Sequence, residues 1–298
     1  MSKLVTLRRG DLSLGVCPVA GGSIASFRLS TPTGEVDLLR PSSERALADN
    51  NALDSACYPL VPFSNRIENG RLRFGGREYH LTPNFPDHPH PLHGHACWRS
   101  WELGSTDGVT ATLTFAYQGP DYPSAYEATE RFALLEDGLE CELSVKNTGP
   151  EAMPVGLGFH PFFPKTPCTK LKVPLGGLWL LRPDGIPHGH GPVPPEWDFG
   201  ELGELGDVVL DHCFSGWNRT ARVEWPKRGL AVTMTGTEPF GHVVIYTPPG
   251  QDFFCVEPVS NANDAFNMAA RGVADTGTVV LAPGEGLAGT MRLVIERL

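Results

Sequence analysis

Long stretches free of both glycine and proline are scarce in this sequence. Only 42–58, 124–137 and 259–271 exceed 12 residues without either, because 34 glycines and 28 prolines are spread along 298 residues. Proline removes a helix donor and glycine weakens a helix interior. A helical architecture is therefore argued against, and a short helix around Ser43–Asp49 is the most that is expected. Basic residues are also in deficit: 24 Lys+Arg face 34 Asp+Glu, a formal net charge of −10. Such a chain repels phosphate backbones and anionic lipid, which argues against a nucleic-acid or membrane partner and for a neutral small molecule. No apolar run reaches membrane-spanning length, and the N-terminal MSKLVTLRRGDLSLGV has no signal-peptide core. A cytoplasmic location is the expectation. The cysteines at 17, 57, 97, 141, 168, 213 and 255 are odd in number and form no C-x-x-C pair, so neither a disulfide framework nor a zinc ribbon is expected.

What the chain does have is strand after strand. In 140–146, Cys141, Leu143 and Val145 alternate with Glu142, Ser144 and Lys146, the period of a half-buried strand. Leu113, Phe115 and Tyr117 share one face of 111–118; Leu230, Val232 and Met234 share one face of 230–235; Met291, Leu293 and Ile295 repeat the pattern near the C-terminus. Leu72 and Phe74, then Gly75-Gly76, then Tyr79 and Leu81 read as a hairpin whose turn needs positive φ. Strands with turn chemistry between them imply an all-β fold, a large antiparallel sandwich or a barrel with few short helices. With no linker, repeat or low-complexity segment, residues 1–298 read as one domain.

Three local patterns resemble motifs without their context. Gly284-Glu285-Gly286-Leu287-Ala288-Gly289 matches G-x-G-x-x-G but leads into a strand pattern, not the helix a dinucleotide site requires. Asp275-Thr276-Gly277 has no second copy with which to share a proton. Asn218-Arg219-Thr220 is a glycosylation sequon without a secretory signal. The histidines are more informative: His80, His88, His90, His93 and His95 crowd one segment, His160 lies in GLGFHPFFP, and Glu257 ends an apolar strand. The bland reading is a solvated loop and a strand-end carboxylate. Of the chemical readings, His93 and His95 with a carboxylate would suit a metal triad. Nucleophilic hydrolysis lacks a G-x-S-x-G elbow. Acid/base work on a neutral polar substrate is the third.

Several blocks, in order, resemble the aldose 1-epimerase (galactose mutarotase-like) family. They are Asn65-Arg66-Ile67 with Gly70, Phe74, Gly76, Tyr79 and Leu81; Leu92-His93-Gly94; Asp121-Tyr122-Pro123-Ser124; Gly158-Phe159-His160-Pro161-Phe162-Phe163; Leu210-Asp211-His212-Cys213-Phe214; Val256-Glu257-Pro258 with Asn263-Asp264-Ala265-Phe266; and Leu281 with Pro283-Gly284-Glu285. The resemblance implies a galactose mutarotase-like β-sandwich that interconverts the α and β anomers of an aldose, with no cofactor and no metal. It implies Glu257 as base and His160 as acid, on opposite sides of the sugar, with Arg66, His93 and Asp211 binding substrate. His95 stays unplaced beside His93, and Trp98 or Trp101 is a candidate stacking platform. The chain departs from galactose-specific members at His95, Phe159 and Val259, which marks a divergent branch. A hexose-6-phosphate mutarotase and a non-catalytic carbohydrate-binding protein are the alternatives, although no compact Arg/Lys cluster lies beside the motifs.

Overall fold

The computed structural model describes residues 4–86 and 88–298. Its largest sheet has nine strands. From one edge to the other they are Phe199–Glu204, Lys170–Val173, Thr220–Trp225, Leu230–Gly236, Gly286–Arg297, Gly138–Asn147, Tyr126–Leu134, Thr110–Tyr117 and Glu102–Thr106. A second sheet runs Pro187–Gly191, Gly177–Leu181, Leu210–Ser215, His242–Thr247, Phe253–Val259, Gly158–Phe159 and Pro59–Leu60, with Phe162–Pro164 also paired to Phe253–Val259. The ladders in both are antiparallel. Among the described residues only two α-helices occur, Glu44–Asp49 and Ala265–Ala270. Ser43 caps the first, its Oγ accepting from the Ala46 amide, which is how a serine satisfies an otherwise orphaned donor.

The expected strands are all present, each within one or a few residues of its predicted span. The hairpin Arg71–Phe74/Arg77–His80 turns on Gly75 and Gly76, both at positive φ (57° and 75°). Asp275 and Gly277 adopt positive φ (57° and 78°) in an irregular loop, and Gly284 leads into the strand Gly286–Arg297, so neither decoy motif has its functional context.

The central strands of the second sheet, His242–Thr247 and Phe253–Val259, are buried on both faces, and this sets up the site. Alternate residues Leu210, Phe214, Val243, Ile245, Phe254, Val256 and Phe163 join the main core, where side chains of the nine-stranded sheet meet them. The intervening residues Cys213, Val244, Cys255 and Phe162 belong to a smaller cluster on the opposite face. A two-residue period with both faces covered explains why 253–259 reads as a continuous apolar run.

An acid interrupts the apolar core beneath the nine-stranded sheet. Glu130 is 2% exposed on the inward face of Tyr126–Leu134, and its Oε2 has no hydrogen-bond partner. Burial pushes its carboxyl well above the usual carboxylate range. A carboxyl whose folded pKa is raised supports folding fully below its unfolded pKa, and that support is lost as pH rises through the folded value. Glu130→Met is therefore expected to raise stability at neutral pH by about 1–3 kcal/mol. It should also flatten the decline in stability above the ordinary carboxylate pKa. Urea denaturation at a series of pH values reads both effects; an unchanged midpoint and slope would show the carboxyl to be hydrated or paired in solution.

Candidate active site

The site is laid out by register. Gly158 pairs with Val259 and Phe162 with Cys255, so His160 and Glu257, midway between, stand directly opposite one another. Pro161 interrupts the strand without shifting its register, and it keeps His160 extended. On the other side the His160 amide donates to the Tyr58 carbonyl. On the far side Glu257 pairs with Val244, which pairs with Cys213. One row across five segments is thus Tyr58, His160, Glu257, Val244, Cys213. The next contains Phe162, Cys255, Tyr246 and Asp211. Directly opposed side chains on one face stand close enough to touch, and from these two rows Tyr58, His160, Glu257, Val244, Phe162, Tyr246 and Asp211 line the floor of a cavity of about 340 Å³.

His160 Nε2 lies 3.2 Å from Glu257 Oε1, with both side chains nearly sealed from solvent (9% and 3% exposed). The imidazole is sandwiched between Tyr58 and Phe162, each 4.6 Å away between ring centroids. Burial, with His93 and Arg40 nearby, pushes His160 well below the usual imidazole range. Burial, reinforced by Asp211 and opposed by Arg66, pushes Glu257 well above the usual carboxylate range. Both shifts favour the uncharged pair, a neutral imidazole beside a protonated carboxyl. The pair was expected on opposite sides of a sugar; it stands side by side instead, because cross-strand register makes the two residues neighbours.

The walls come from two loops locked together. His93 (φ 61°) and Gly94 (φ 69°) make a left-handed turn. A Cβ at Gly94 would come within 2.2 Å of the Val61 carbonyl oxygen, so only glycine allows this approach. His93 N–H donates to the Asn65 carbonyl, and the Asn65 N–H donates to His93 Nδ1. Because Nδ1 is an acceptor, the single proton of the neutral ring sits on Nε2. Burial and Arg66 lower this imidazole to about 3, so at neutral pH His93 is an uncharged donor. Arg66 spreads its guanidinium over Asn65 Oδ1 (2.9 Å), His88 Nε2 (3.4 Å) and Asp211 Oδ2 (3.5 Å). All five residues expected at the site, His160, Glu257, Arg66, His93 and Asp211, line the one cavity.

The left-handed turn also separates His93 from His95. His95 leaves the cavity, stacks flat on Tyr117 (4.1 Å, 2°) and hydrogen-bonds Tyr126 Oη through Nδ1 at 2.9 Å. The two imidazoles therefore do not form a common ligand set, which removes the His93/His95 metal reading. Neither tryptophan is a platform: Trp101 is buried and donates to the Ala96 carbonyl, and Trp98 donates to the Leu92 carbonyl. The aromatic lining comes from Tyr58, Phe162, Tyr246, Phe253 and Phe85. Arg40 also borders the cavity, stacked over Phe162 and Phe253 (4.0 and 4.4 Å). It donates to the Ser55 carbonyl and faces Asp54 at 3.5 Å.

Residues beyond Glu257 hold the Arg66 loop. Asn261 Oδ1 accepts from the Ser64 amide and its Nδ2 donates to the Ser64 carbonyl. Asp264, fully buried, donates its N–H to the Arg66 carbonyl and accepts at Oδ1 from the Glu68 amide and Asn267 Nδ2. Gly185 packs on the guanidinium, where a Cβ would fall 2.9 Å from Cζ.

A two-layered antiparallel β fold with a carboxyl–imidazole pair on the floor of a small aromatic-lined pocket defines the class. The sequence profile of the family described as aldose 1-epimerase matches residues 3–294, and the chain belongs to that family. It is 34% identical to the uncharacterized protein YphB of Escherichia coli K12 over 99% of both chains. It also superposes on the crystal structure of a putative aldose 1-epimerase from Escherichia coli K12, with 34% identity, TM-score 0.88 and 99% of each chain covered. Mouse galactose mutarotase is 25% identical over half of each chain. A galactose mutarotase-like protein from Clostridium acetobutylicum shares the fold, with TM-score 0.86 at 19% identity over 99% of this chain and 95% of that one.

Proposed function

We propose that this protein is an aldose 1-epimerase acting on a free or lightly modified aldose. The reading rests above all on the 3.2 Å contact between His160 Nε2 and Glu257 Oε1 at the floor of the cavity. In a pyranose the anomeric hydroxyl O1 and the ring oxygen O5 are bonded to the same carbon, so adjacent protein groups can address both. The pair's single proton first passes from Glu257 to His160 across their contact; Glu257 then takes the proton from O1–H while His160 gives one to O5. The C1–O5 bond breaks, O1 becomes the aldehyde oxygen, and C1 turns about its bond to C2. Reclosure runs the protons back: His160 takes the O5 proton as O5 attacks the other face of C1, and Glu257 reprotonates O1. The pair ends as it began, so one shared proton serves the whole cycle. His93, a neutral Nε2–H donor, stabilises charge building on the ring or anomeric oxygen. Arg66 and Asp211 offer a donor fork and an acceptor that together match a vicinal diol.

The cavity lies at the low end of the about 300–1,000 Å³ of small-molecule sites, suited to one monosaccharide. Both guanidiniums that border it already face carboxylates, Arg66 with Asp211 and Arg40 with Asp54, which favours an uncharged sugar over a phosphorylated one. Polarimetry on freshly dissolved α-D-glucose, α-D-galactose and other aldoses is the test. Optical rotation should relax faster with protein present, free sugars should exceed their 6-phosphates, and the rates rank the substrates. No acceleration with any aldose or aldose phosphate would reduce the protein to a binding role.

A further inference from the structure

Cys255 has no part in the acid/base cycle, yet the strand period places it on the pocket face between Phe253 and Glu257. Its Sγ, a carboxylate oxygen of Glu257 and a ring nitrogen of His160 all lie within 4.8 Å of one another, and all three side chains are buried. Thiolate, imidazole and carboxylate are zinc ligands, and three protein ligands leave a fourth position open. Bonds of about 2.0 Å to nitrogen and oxygen and about 2.3 Å to sulfur place tetrahedral donors about 3.3–3.6 Å apart. The His160–Glu257 contact of 3.2 Å is already close to that spacing. Charge favours the same ion: one thiolate and one carboxylate neutralise a divalent cation, so the bound set is neutral overall and suited to burial.

We propose that His160, Cys255 and Glu257 form an inhibitory site for zinc or a similarly thiophilic divalent cation, with the fourth coordination position facing the sugar pocket. Binding releases the Sγ proton of Cys255 and the proton shared by the His160–Glu257 pair, and no electron is transferred. The metal occupies the lone pair of the acid and the carboxylate of the base together, so the protein is inactive while it is bound. The inhibitory half of this inference rests on the mutarotase reading; the binding half does not.

The experiment therefore measures binding and rate separately. Chelator-stripped protein is titrated with Co²⁺, following thiolate-to-metal charge-transfer absorption, and with Zn²⁺ by calorimetry. Cys255→Ser and Cys255→Ala are compared with Cys168→Ser, which removes the only cysteine that is not fully buried. Circular dichroism checks each variant for folding. One metal per chain is expected. Both Cys255 variants should lose the absorption band and weaken Zn²⁺ binding by about tenfold or more, while Cys168→Ser binds as the unmodified chain does. In polarimetry Zn²⁺ should slow the reaction reversibly, and Cys255→Ser should keep its metal-free rate but need about tenfold more Zn²⁺ for the same inhibition. Binding unaffected at Cys255, or lost with Cys168→Ser, overturns the site. A Cys255-dependent band in a protein that accelerates no sugar keeps the site and overturns the mutarotase reading. Normal mutarotation at saturating zinc overturns the inhibition.

Discussion

Glu257→Gln is expected to lower kcat/KM for mutarotation by about 10²–10⁴-fold, the usual worth of one general acid–base group. Glutamine keeps the size of the side chain and can still hydrogen-bond His160, but it cannot take a proton from O1. The fold should survive, since burial already disfavours a charge at this position. His160→Gln should cost a comparable factor, because O5 would then leave as an alkoxide. The double variant should be little worse than either single one. Two groups that exchange one proton act as a unit, and their losses do not add. Rates by polarimetry and thermal melts on the same samples separate chemistry from folding. Undiminished turnover in Glu257→Gln would place the base elsewhere in the cavity.

The same pair dictates the pH profile. Burial resists adding a second proton, to His160, and resists removing the first, from Glu257. The acid limb of kcat is therefore expected well below the ordinary imidazole pKa and the alkaline limb well above the ordinary carboxylate pKa. These limbs belong to the pair and not to either residue. A profile that broke at the ordinary imidazole pKa would mean a solvated histidine and an open floor.

Local pattern made the strands and the five pocket residues legible, and it failed where pairing is non-local. Alternation in 138–147 is visible because one face is polar and the other buried. His160, Glu257, His93, Arg66 and Asp211 stand in short blocks whose order resembles the family. Their arrangement was not readable: that His160 faces Glu257 side by side depends on register between segments about a hundred residues apart. Arg40, Tyr58 and Tyr246 come from segments with no motif, so nothing local distinguishes them from ordinary core or surface. His93 and His95 looked equivalent by spacing. They diverge because His93 and Gly94 adopt positive φ, so the strand-like rule that residues two apart share a face does not hold there. Asp264 was visible within a block, but its contact with the Arg66 loop spans nearly two hundred residues.

That contact carries the second large effect. Asp264→Ala removes the acceptor for the Glu68 amide and for Asn267 Nδ2, and the Arg271 partner at 3.5 Å. Arg271 is about half exposed and can turn to water, whereas the other two donors lie at least partly buried. Each buried donor left unsatisfied costs about 1–3 kcal/mol, so a destabilisation of about 2–4 kcal/mol is expected. Asp264→Asn keeps one acceptor oxygen and should cost less. The bond from the Asp264 amide to the Arg66 carbonyl is made by backbone and survives both changes, so the loop should loosen rather than detach. A loosened loop misplaces Arg66 and, through Asn65, the hydrogen bond that sets the His93 tautomer. KM for the sugar should rise more than kcat falls, since His160 and Glu257 are fixed by the sheet and not by the loop. Chemical denaturation and full Michaelis curves for both variants test this division. A loss confined to kcat would show instead that Asp264 acts on the acid/base pair.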